Sequence, residues 1–306
     1  MKKANTMQRM EIQAPAKINL FLDILGKRPD GYHNIKSIVL PVSVYDRVVL
    51  ENRPDSIETM AAHDIQLPGI PWTMALCRSE DNLTTRAARL LKEVTGHPGG
   101  VRIILEKGIP IGAGLGGGSS DAAAVLKGLN TLWKTGLSQD RLISLGTRLG
   151  CDIPALVHGG SLCIEGVGEQ LTPIHRHAQN PLWLLLVYPG LAVSTTDIYA
   201  RYKTGLTSMP PADKFHQVVS GLEQGVPAQV TAGLFNVLQA TVFQKYPLLE
   251  LIKNKLAAAG ALGVELTGSG STLYALAQDA DHGRALDGCL RKSIGCPVWT
   301  CVTQAI

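Results

Sequence analysis

The chain has 306 residues, of which 45% are hydrophobic and 18% are charged, and its formal net charge at pH 7 is +4. This composition is typical of a globular protein with one large domain or two smaller ones. The sequence has no dense block of Lys and Arg, no apolar run long enough to cross a bilayer and no apolar segment near its start. We therefore expect no nucleic acid binding, no membrane span and no signal peptide.

Six cysteines are spread along the sequence without a CxxC pair or a histidine at zinc-ligand spacing: Cys77, Cys151, Cys163, Cys289, Cys296 and Cys301. Cysteines scattered in this way are usually free thiols in a reducing compartment. The sequence therefore predicts a cytoplasmic protein.

The first predicted element is a strand over residues 11–24, where apolar and polar residues alternate with a period of two. Alternation of this kind predicts a half-buried strand. Lys17 and Asn19 lie side by side on its polar face. The predicted apolar face consists of Ile12, Ala14, Ala16, Ile18, Leu20, Leu22 and Ile24.

A turn signal, Arg-Pro-Asp-Gly, follows at residues 28–31, and a second strand is predicted over residues 35–40. The chain reversal places Tyr32 and His33 beside the first strand. A third strand is predicted over residues 45–51.

The next segment, residues 52–77, is rich in proline and predicted to be irregular. An amphipathic helix is predicted over residues 79–94, with Gly96 ending it. A strand over residues 101–106 follows and leads into the most distinctive stretch of the sequence.

That stretch is PIGAGLGGGSSDAAA at residues 110–124; its first part, residues 110–118, is called here the glycine loop. Glycine permits positive φ and lets the backbone approach a ligand closely. Ser119 or Ser120 is the predicted N-cap of a helix that runs toward Trp133, with Asp121 in its first turn. A glycine loop that feeds a helix N-terminus forms a concavity suited to phosphate.

Other interpretations of this loop are a linker, a tight turn or a dinucleotide fingerprint. Apolar residues between the glycines disfavour a linker, and the absence of Gly-Lys-Ser/Thr excludes a P-loop. Gly112, Gly114 and Gly117 match GxGxxG, but Asp140, at the expected distance for a ribose contact, stands at a predicted helix start. Phosphate binding is therefore favoured over a purely structural turn.

Ser138 caps a predicted helix that stops at Gly150, and a short helix entry over residues 150–160 contains Asp152. A strand is predicted over residues 161–165. The polar residues 175–181 indicate a domain junction.

Beyond the junction, strands and helices continue without a regular βαβ alternation, which favours an α+β class. The predicted domains are residues 1–174 and residues 175–306. The remaining predicted elements are a strand at 183–188, helices at 196–202, 234–243 and 248–259, a hairpin at 264–277 around residues 267–270, a helix at 285–292 and a strand at 298–303.

Three stretches resemble, in their order along the chain, the three motifs of the GHMP small-molecule kinases. They are PAKINLFLDILGKRPDGYH at residues 15–33, PIGAGLGGGSSDAAA at residues 110–124 and LTGSGSTLYAL at residues 266–276. Together with GCDIP at residues 150–154, they are similar to a subgroup that phosphorylates the 2-hydroxyl of a CDP-linked methylerythritol in non-mevalonate isoprenoid synthesis. The resemblance implies an N-terminal ATP-binding α+β domain and a ferredoxin-like C-terminal domain, with the active site between them.

The resemblance assigns catalytic roles to Lys17 and Asp152. From the residues alone, Lys17 is a solvated strand lysine and Asp152 an N-cap. In the family, the matching lysine holds the acceptor hydroxyl and the γ-phosphate, and the matching aspartate is the general base.

The resemblance also implies two sets of binding residues. The ATP-binding set is Pro110, Ile111, Gly112, Ala113, Gly114, Leu115, Gly116, Gly117, Gly118, Ser119 and Ser120. The substrate-binding set is Asn19, Tyr32, His33, Thr195, Tyr199 and Gly268. No dedicated metal ligand is expected, since Mg²⁺ arrives with ATP; Asp121 is interpreted as a helix-start residue.

The expected ligands are therefore a small-molecule substrate and Mg²⁺-bound ATP, in a monomer or weak homodimer. Three alternatives are another GHMP kinase of the homoserine or mevalonate type, a non-catalytic nucleotide-binding paralogue and a Rossmann oxidoreductase. Tyr32 and His33 argue against the first alternative, and the joint presence of Lys17 and Asp152 argues against the second.

Overall fold

The computed structural model describes residues 8–62, 68, 70, 80–177, 180–202 and 213–306. In these ranges the strands are β1 (Arg9–Lys27), β2 (His33–Arg53), β3 (Ile57–Ala61), β4 (Gly100–Glu106), β5 (Leu162–Gly166), β6 (Gln170–Pro173), β7 (Trp183–Tyr188), β8 (Phe235–Asn236), β9 (Gly263–Leu266), β10 (Leu273–Ala277) and β11 (Trp299–Gln304). The helices are α1 (Leu83–Thr95), α2 (Gly117–Leu132), α3 (Gln139–Thr147), α4 (Ile153–His158), α5 (Thr195–Arg201), α6 (Lys214–Gln224), α7 (Pro227–Gly233), α8 (Gln239–Lys245), α9 (Pro247–Ala258) and α10 (Ala280–Ser293). This mixed order confirms the predicted α+β class.

Strand β2 is the centre of the larger sheet. It pairs with β1 along one edge, and with β4 and β5 along the other. The prediction of two separate strands at 35–40 and 45–51 was wrong, because β2 is continuous through both. Its pairing with β1 jumps from Tyr45 to Val42, and this irregularity leaves Ser43 and Val44, between the two predicted strands, without a partner in β1.

The apolar side chains of β1 divide between two cores. Ala14 packs in a core with α1 and α2, whereas Ala16 and Ile18 pack in a second core. The predicted apolar face therefore contributes to both cores. The strand is also not half-buried, because Lys17 and Asn19 are each only 5% exposed. The glycine loop and the β9–β10 hairpin cover this part of β1.

The second sheet has the order β11-β7-β10-β9, and each neighbouring pair is antiparallel. It confirms the predicted strands at 183–188 and 298–303 and the predicted hairpin at 264–277. The helix predicted over residues 234–243 was partly wrong, since Phe235–Asn236 pairs with β1 as β8 and α8 begins at Gln239. The sequence patterns do not predict α6 and α7.

Two large cores meet at the glycine loop. The smaller core packs α1, α2, α3 and α4 against the larger sheet, and the larger core joins that sheet to the second sheet and α5–α10. Ala113 and Leu115 of the loop belong to the larger core, while α2 belongs to the smaller. The predicted division after residue 174 stays a prediction; the larger core has members on both sides of it.

Half of the predicted irregular segment 52–77, including Cys77, lies outside the described residues, as does Ser79. Its described part contains β3, which pairs with β4 in parallel. The helix expected after it is α1, which begins at Leu83 with Asn82 as its N-cap, later than the predicted start at residue 79. Gly96 ends it in the left-handed conformation, as predicted.

Candidate active site

The glycine loop is held in shape by three glycines with positive φ. They are Gly112 at 69°, Gly114 at 80° and Gly116 at 70°. Gly116 is the N-cap of α2, so the prediction of Ser119 or Ser120 as the cap was wrong: left-handed backbone favours glycine there, and both serines lie inside the helix. The first amides of this 16-residue helix have no acceptor within the helix and form its positive end.

The backbone of the loop is in close contact with its neighbours. The Lys17 amide donates to the Leu115 carbonyl at 2.9 Å, and the Thr272 amide donates to the Ala113 carbonyl at 3.1 Å. A Cβ on Gly114 would lie 2.7 Å from the carbonyl oxygens of Thr267 and Gly270. The loop is thus clamped between β1 and the turn of the β9–β10 hairpin.

Lys17 and Asp152 meet beside this loop. The Lys17 Nζ lies 3.4 Å from Asp152 Oδ2 and donates to Asn19 Oδ1 at 2.8 Å. Asn19 in turn donates to the Ser37 hydroxyl at 2.9 Å, and its carbonyl accepts a hydrogen bond from Tyr274. These partners fix the direction of the lysine side chain, which is 6% exposed.

Asp152 occupies the N-cap position of α4, but its side chain makes no capping hydrogen bond within the described residues. The carboxylate is 44% exposed and pairs with Lys17 instead. It is therefore open to a ligand, as a proton acceptor must be.

One cavity of about 1130 Å³ gathers the predicted site residues. Ser120 is the exception, since its side chain lies in buried surroundings in α2. The predicted residues that line the cavity are Lys17, Asn19, Tyr32, His33, Pro110, Ile111, Gly112, Ala113, Gly114, Leu115, Gly116, Gly117, Gly118, Ser119, Asp152, Thr195, Tyr199 and Gly268.

An aromatic pair lines the cavity where the β1–β2 hairpin faces α5. The rings of His33 and Tyr199 have centroids 5.3 Å apart at an interplanar angle of 48°, whereas Tyr32 is 58% exposed at the hairpin tip. Burial, and then Lys27, lowers the pKa of His33. Burial, and then the charge of Asp152, raises the pKa of Tyr199, so its phenol keeps its proton.

Thr195 and Gly268 connect two further elements to the cavity. The Thr195 hydroxyl lies 2.8 Å from the Ser269 hydroxyl, which joins the start of α5 to the hairpin turn. A Cβ on Gly268 would lie 3.6 Å from both Asn19 Oδ1 and Lys17 Nζ. The turn predicted at residues 267–270 is therefore also a wall of the site.

Sequence reasoning missed several lining residues. Lys27, Asn82, Lys107, Asp121 and Cys151 also face the cavity. Lys107 lies three residues before the glycine loop, and a lysine this close to a predicted phosphate site is the signal that could have identified it. Asp121 is not in the first turn of α2 as predicted; it is buried and pairs with Lys107.

In the part of the chain that the structure describes, three or more His, Cys, Asp or Glu side chains nowhere gather into a possible metal site. None of the described helices combines the length and the apolar character needed to cross a membrane.

Comparisons with known proteins agree with this geometry. The model for the GHMP kinases N terminal domain matches residues 82–160, and the model for GHMP kinases C terminal matches residues 219–292. The chain is 41% identical over 277 residues to the 4-diphosphocytidyl-2-C-methyl-D-erythritol kinase of Symbiobacterium thermophilum, covering 90% of this chain and 94% of that one.

Solved structures show the same likeness. A crystal structure of 4-(cytidine 5'-diphospho)-2C-methyl-D-erythritol kinase has a TM-score of 0.77 at 34% identity, covering 97% of this chain and 100% of that one. Homoserine kinase from Cytophaga hutchinsonii also reaches 0.77, covering 100% and 97%, but at 18% identity it shows the fold alone. The chain therefore belongs to the GHMP kinases, in the family of the 4-diphosphocytidyl-2-C-methyl-D-erythritol kinases.

Proposed function

We propose that this protein transfers the γ-phosphoryl group of ATP to the 2-hydroxyl of 4-diphosphocytidyl-2-C-methyl-D-erythritol, a step of non-mevalonate isoprenoid synthesis. The observation that carries the proposal is the 3.4 Å contact of Lys17 with Asp152 beside the glycine loop, in one cavity. The acceptor is the one named for the relatives.

The pair divides the chemistry between two groups. Asp152 accepts the proton of the acceptor hydroxyl as its oxygen attacks the γ-phosphorus. Lys17 provides a fixed positive charge for the developing alkoxide and for the transferred group. Since Asn19 already orients the ammonium, no reorganisation is needed when charge develops.

The loop amides and the N-terminus of α2 hold the phosphates of ATP. Mg²⁺ enters with the nucleotide, and an ion bound mostly by phosphate and water oxygens needs few protein ligands. Ser119 supplies a hydroxyl oxygen along the cavity. When bound, Mg²⁺ neutralises charge on the phosphates.

The aromatic side of the cavity receives the cytidine. We assign His33 and Tyr199 to the base, with Tyr32, Thr195 and Gly268 as neighbouring contacts. All five described cysteines are free thiols, which agrees with a reducing compartment, and we place the enzyme in the cytoplasm.

The test is ATP consumption by the purified protein with Mg²⁺, measured with and without the CDP-linked substrate. We expect ADP release to depend on that substrate, with phosphate found on the 2-hydroxyl. Homoserine and mevalonate serve as competing acceptors. Faster turnover of either one, or no turnover with any acceptor, would contradict the proposal.

Substitution of Gly114 by alanine is expected to weaken ATP binding by about tenfold or more, because the added Cβ would meet two carbonyl oxygens at 2.7 Å and φ is 80°. The loop must then move away from the hairpin turn. Calorimetric titration with ATP measures the effect.

Gly136→Ala is the matched control for this variant. Gly136 has φ of 69°, and a Cβ there would meet nothing within 4 Å among the described residues. It introduces a comparable backbone strain at a residue outside the lining of the cavity. Equal loss of ATP affinity in both variants would show that strain alone, and not the clamped loop, explains the result.

A further inference from the structure

A buried cluster of three charged side chains lies behind the glycine loop. Lys107 pairs with Asp46 and, at 2.6 Å, with Asp121. The three come from different places: Asp46 from β2, Lys107 from the residue after β4, and Asp121 from α2. All three side chains are 3% exposed or less.

Asp46 also binds the backbone at the entrance of the loop. Its Oδ1 accepts hydrogen bonds from the amides of Gly108 and Ile109, each at 2.8 Å, while its Oδ2 accepts one from the Lys107 ammonium. Lys107 then reaches across to Asp121, which lies on the helix that leaves the loop. One carboxylate thus ties together the two ends of the segment that carries the glycines.

Asp46 does not belong to the described lining of the cavity, whereas Lys107 and Asp121 do. It therefore acts on a nucleotide only through the groups that it holds. The packing is close, since a Cβ on Gly117 would lie 3.3 Å from Asp46 Oδ2 and 3.0 Å from the Ile109 side chain.

We propose that Asp46 is a positioning residue for the nucleotide: it fixes the glycine loop in the shape that binds the phosphates of ATP. The proposal rests on the proposed function, because it takes the loop to be the phosphate site. Preorganisation of this kind raises affinity by removing the cost of ordering the loop on binding.

Electrostatics alone predicts that loss of the Asp46 charge strengthens ATP binding, so the sign of the change distinguishes the two explanations. Two carboxylates and one ammonium leave the ionised cluster with a net negative charge near the phosphates. Removing one carboxylate charge would then favour a polyanion. Burial, together with Asp46, raises the pKa of Asp121 despite the attraction of Lys107, so part of this excess charge is relieved at Asp121.

The experiment compares Asp46→Asn with Asp121→Asn, the same side-chain substitution at two carboxyl groups of one cluster. In Asp46→Asn the amide cannot accept both loop amides and Lys107, so one of these bonds is lost. We expect the Kd for ATP to rise about 10- to 100-fold, the effect of losing a hydrogen bond to a charged group. Asp121→Asn still offers Lys107 a carbonyl oxygen and leaves the Asp46 bonds intact, so its loss is expected to be smaller.

Steady-state kinetics separate positioning from general destabilisation. For Asp46→Asn we expect a raised KM for ATP, with kcat within about threefold and KM for the CDP-linked substrate unchanged. In the absence of ATP, amide hydrogen exchange over residues 108–118 is expected to be faster in Asp46→Asn than in the wild-type protein. Gly117→Ala places a Cβ 3.3 Å from Asp46 Oδ2 without any change of charge, at a helical φ that alanine adopts readily. It should also weaken ATP binding. This variant tests the proposal if Asp46→Asn does not fold.

Unchanged or tighter ATP binding by Asp46→Asn would overturn the proposal, as would a fall in kcat with KM for ATP unchanged. If Asp46→Asn does not fold, unchanged ATP binding by Gly117→Ala would overturn it as well. Failure of the wild-type protein to bind ATP is a separate result, which would contradict the proposed function itself.

Discussion

The Asp152→Asn variant is expected to lose phosphoryl transfer while it still binds ATP. An amide cannot take the proton of the acceptor hydroxyl, and loss of a general base costs about 10²- to 10⁴-fold in rate. Asparagine caps helices as well as aspartate does, so the substitution should not disturb the start of α4. The measurements are kcat in a coupled ADP assay and the Kd for ATP by calorimetry.

Asp140→Asn is a matched control for this experiment, because Asp140 is an exposed aspartate in the first turn of the neighbouring helix α3. It should keep full turnover. Turnover by Asp152→Asn within about threefold of the wild-type rate would remove Asp152 from the chemistry and leave it as a helix-start residue.

The residue pattern identified the parts of the site but not their contacts. Lys17 and Asp152 are 135 positions apart, and on its own terms each has an ordinary structural explanation, as a strand lysine and as a helix cap. The resemblance to GHMP kinases implies catalytic roles for both, and the structure places their charged groups 3.4 Å apart. A contact this distant in sequence depends on how β1 and α4 pack, which periodicity does not reveal.

The errors in the sequence interpretation have a common physical cause. Alternation along β1 predicted an exposed polar face, but the hairpin turn from the far end of the chain covers it. Ser119 and Ser120 are good caps by residue type, yet the left-handed Gly116, three residues before Ser119, is the N-cap of α2. The sequence analysis assigns no role to Asp46, because its partners Lys107 and Gly108 are distant in sequence and no local pattern reveals them. In each case tertiary contact overrides local preference.

The second large effect concerns the acceptor. We expect the wild-type enzyme to prefer the CDP-linked substrate over free methylerythritol phosphate by about 10⁴-fold in kcat/KM, since a site built to hydrogen-bond a group rejects an analogue that lacks it. Neutral His33 offers one donor and one acceptor, which suit the edge of a cytosine. Tyr199, whose ring lies 5.3 Å from that of His33, offers a face for stacking.

Substitution separates these two contributions. His33→Ala and Tyr199→Ala should each raise KM for the CDP-linked substrate. For Tyr199→Ala the loss of binding free energy should be about 1–3 kcal/mol, the energy of one base stacked on an aromatic ring. KM for ATP should stay unchanged, because the glycine loop does not depend on either ring. Tyr32→Ala provides a comparison from the β1–β2 hairpin, which also carries His33: at 58% exposure, the loss of Tyr32 should raise KM less than Tyr199→Ala does. If the wild-type enzyme uses both acceptors equally well, or if neither substitution changes KM for the substrate, the hairpin is only a turn and the assignment of the cytidyl group to it fails.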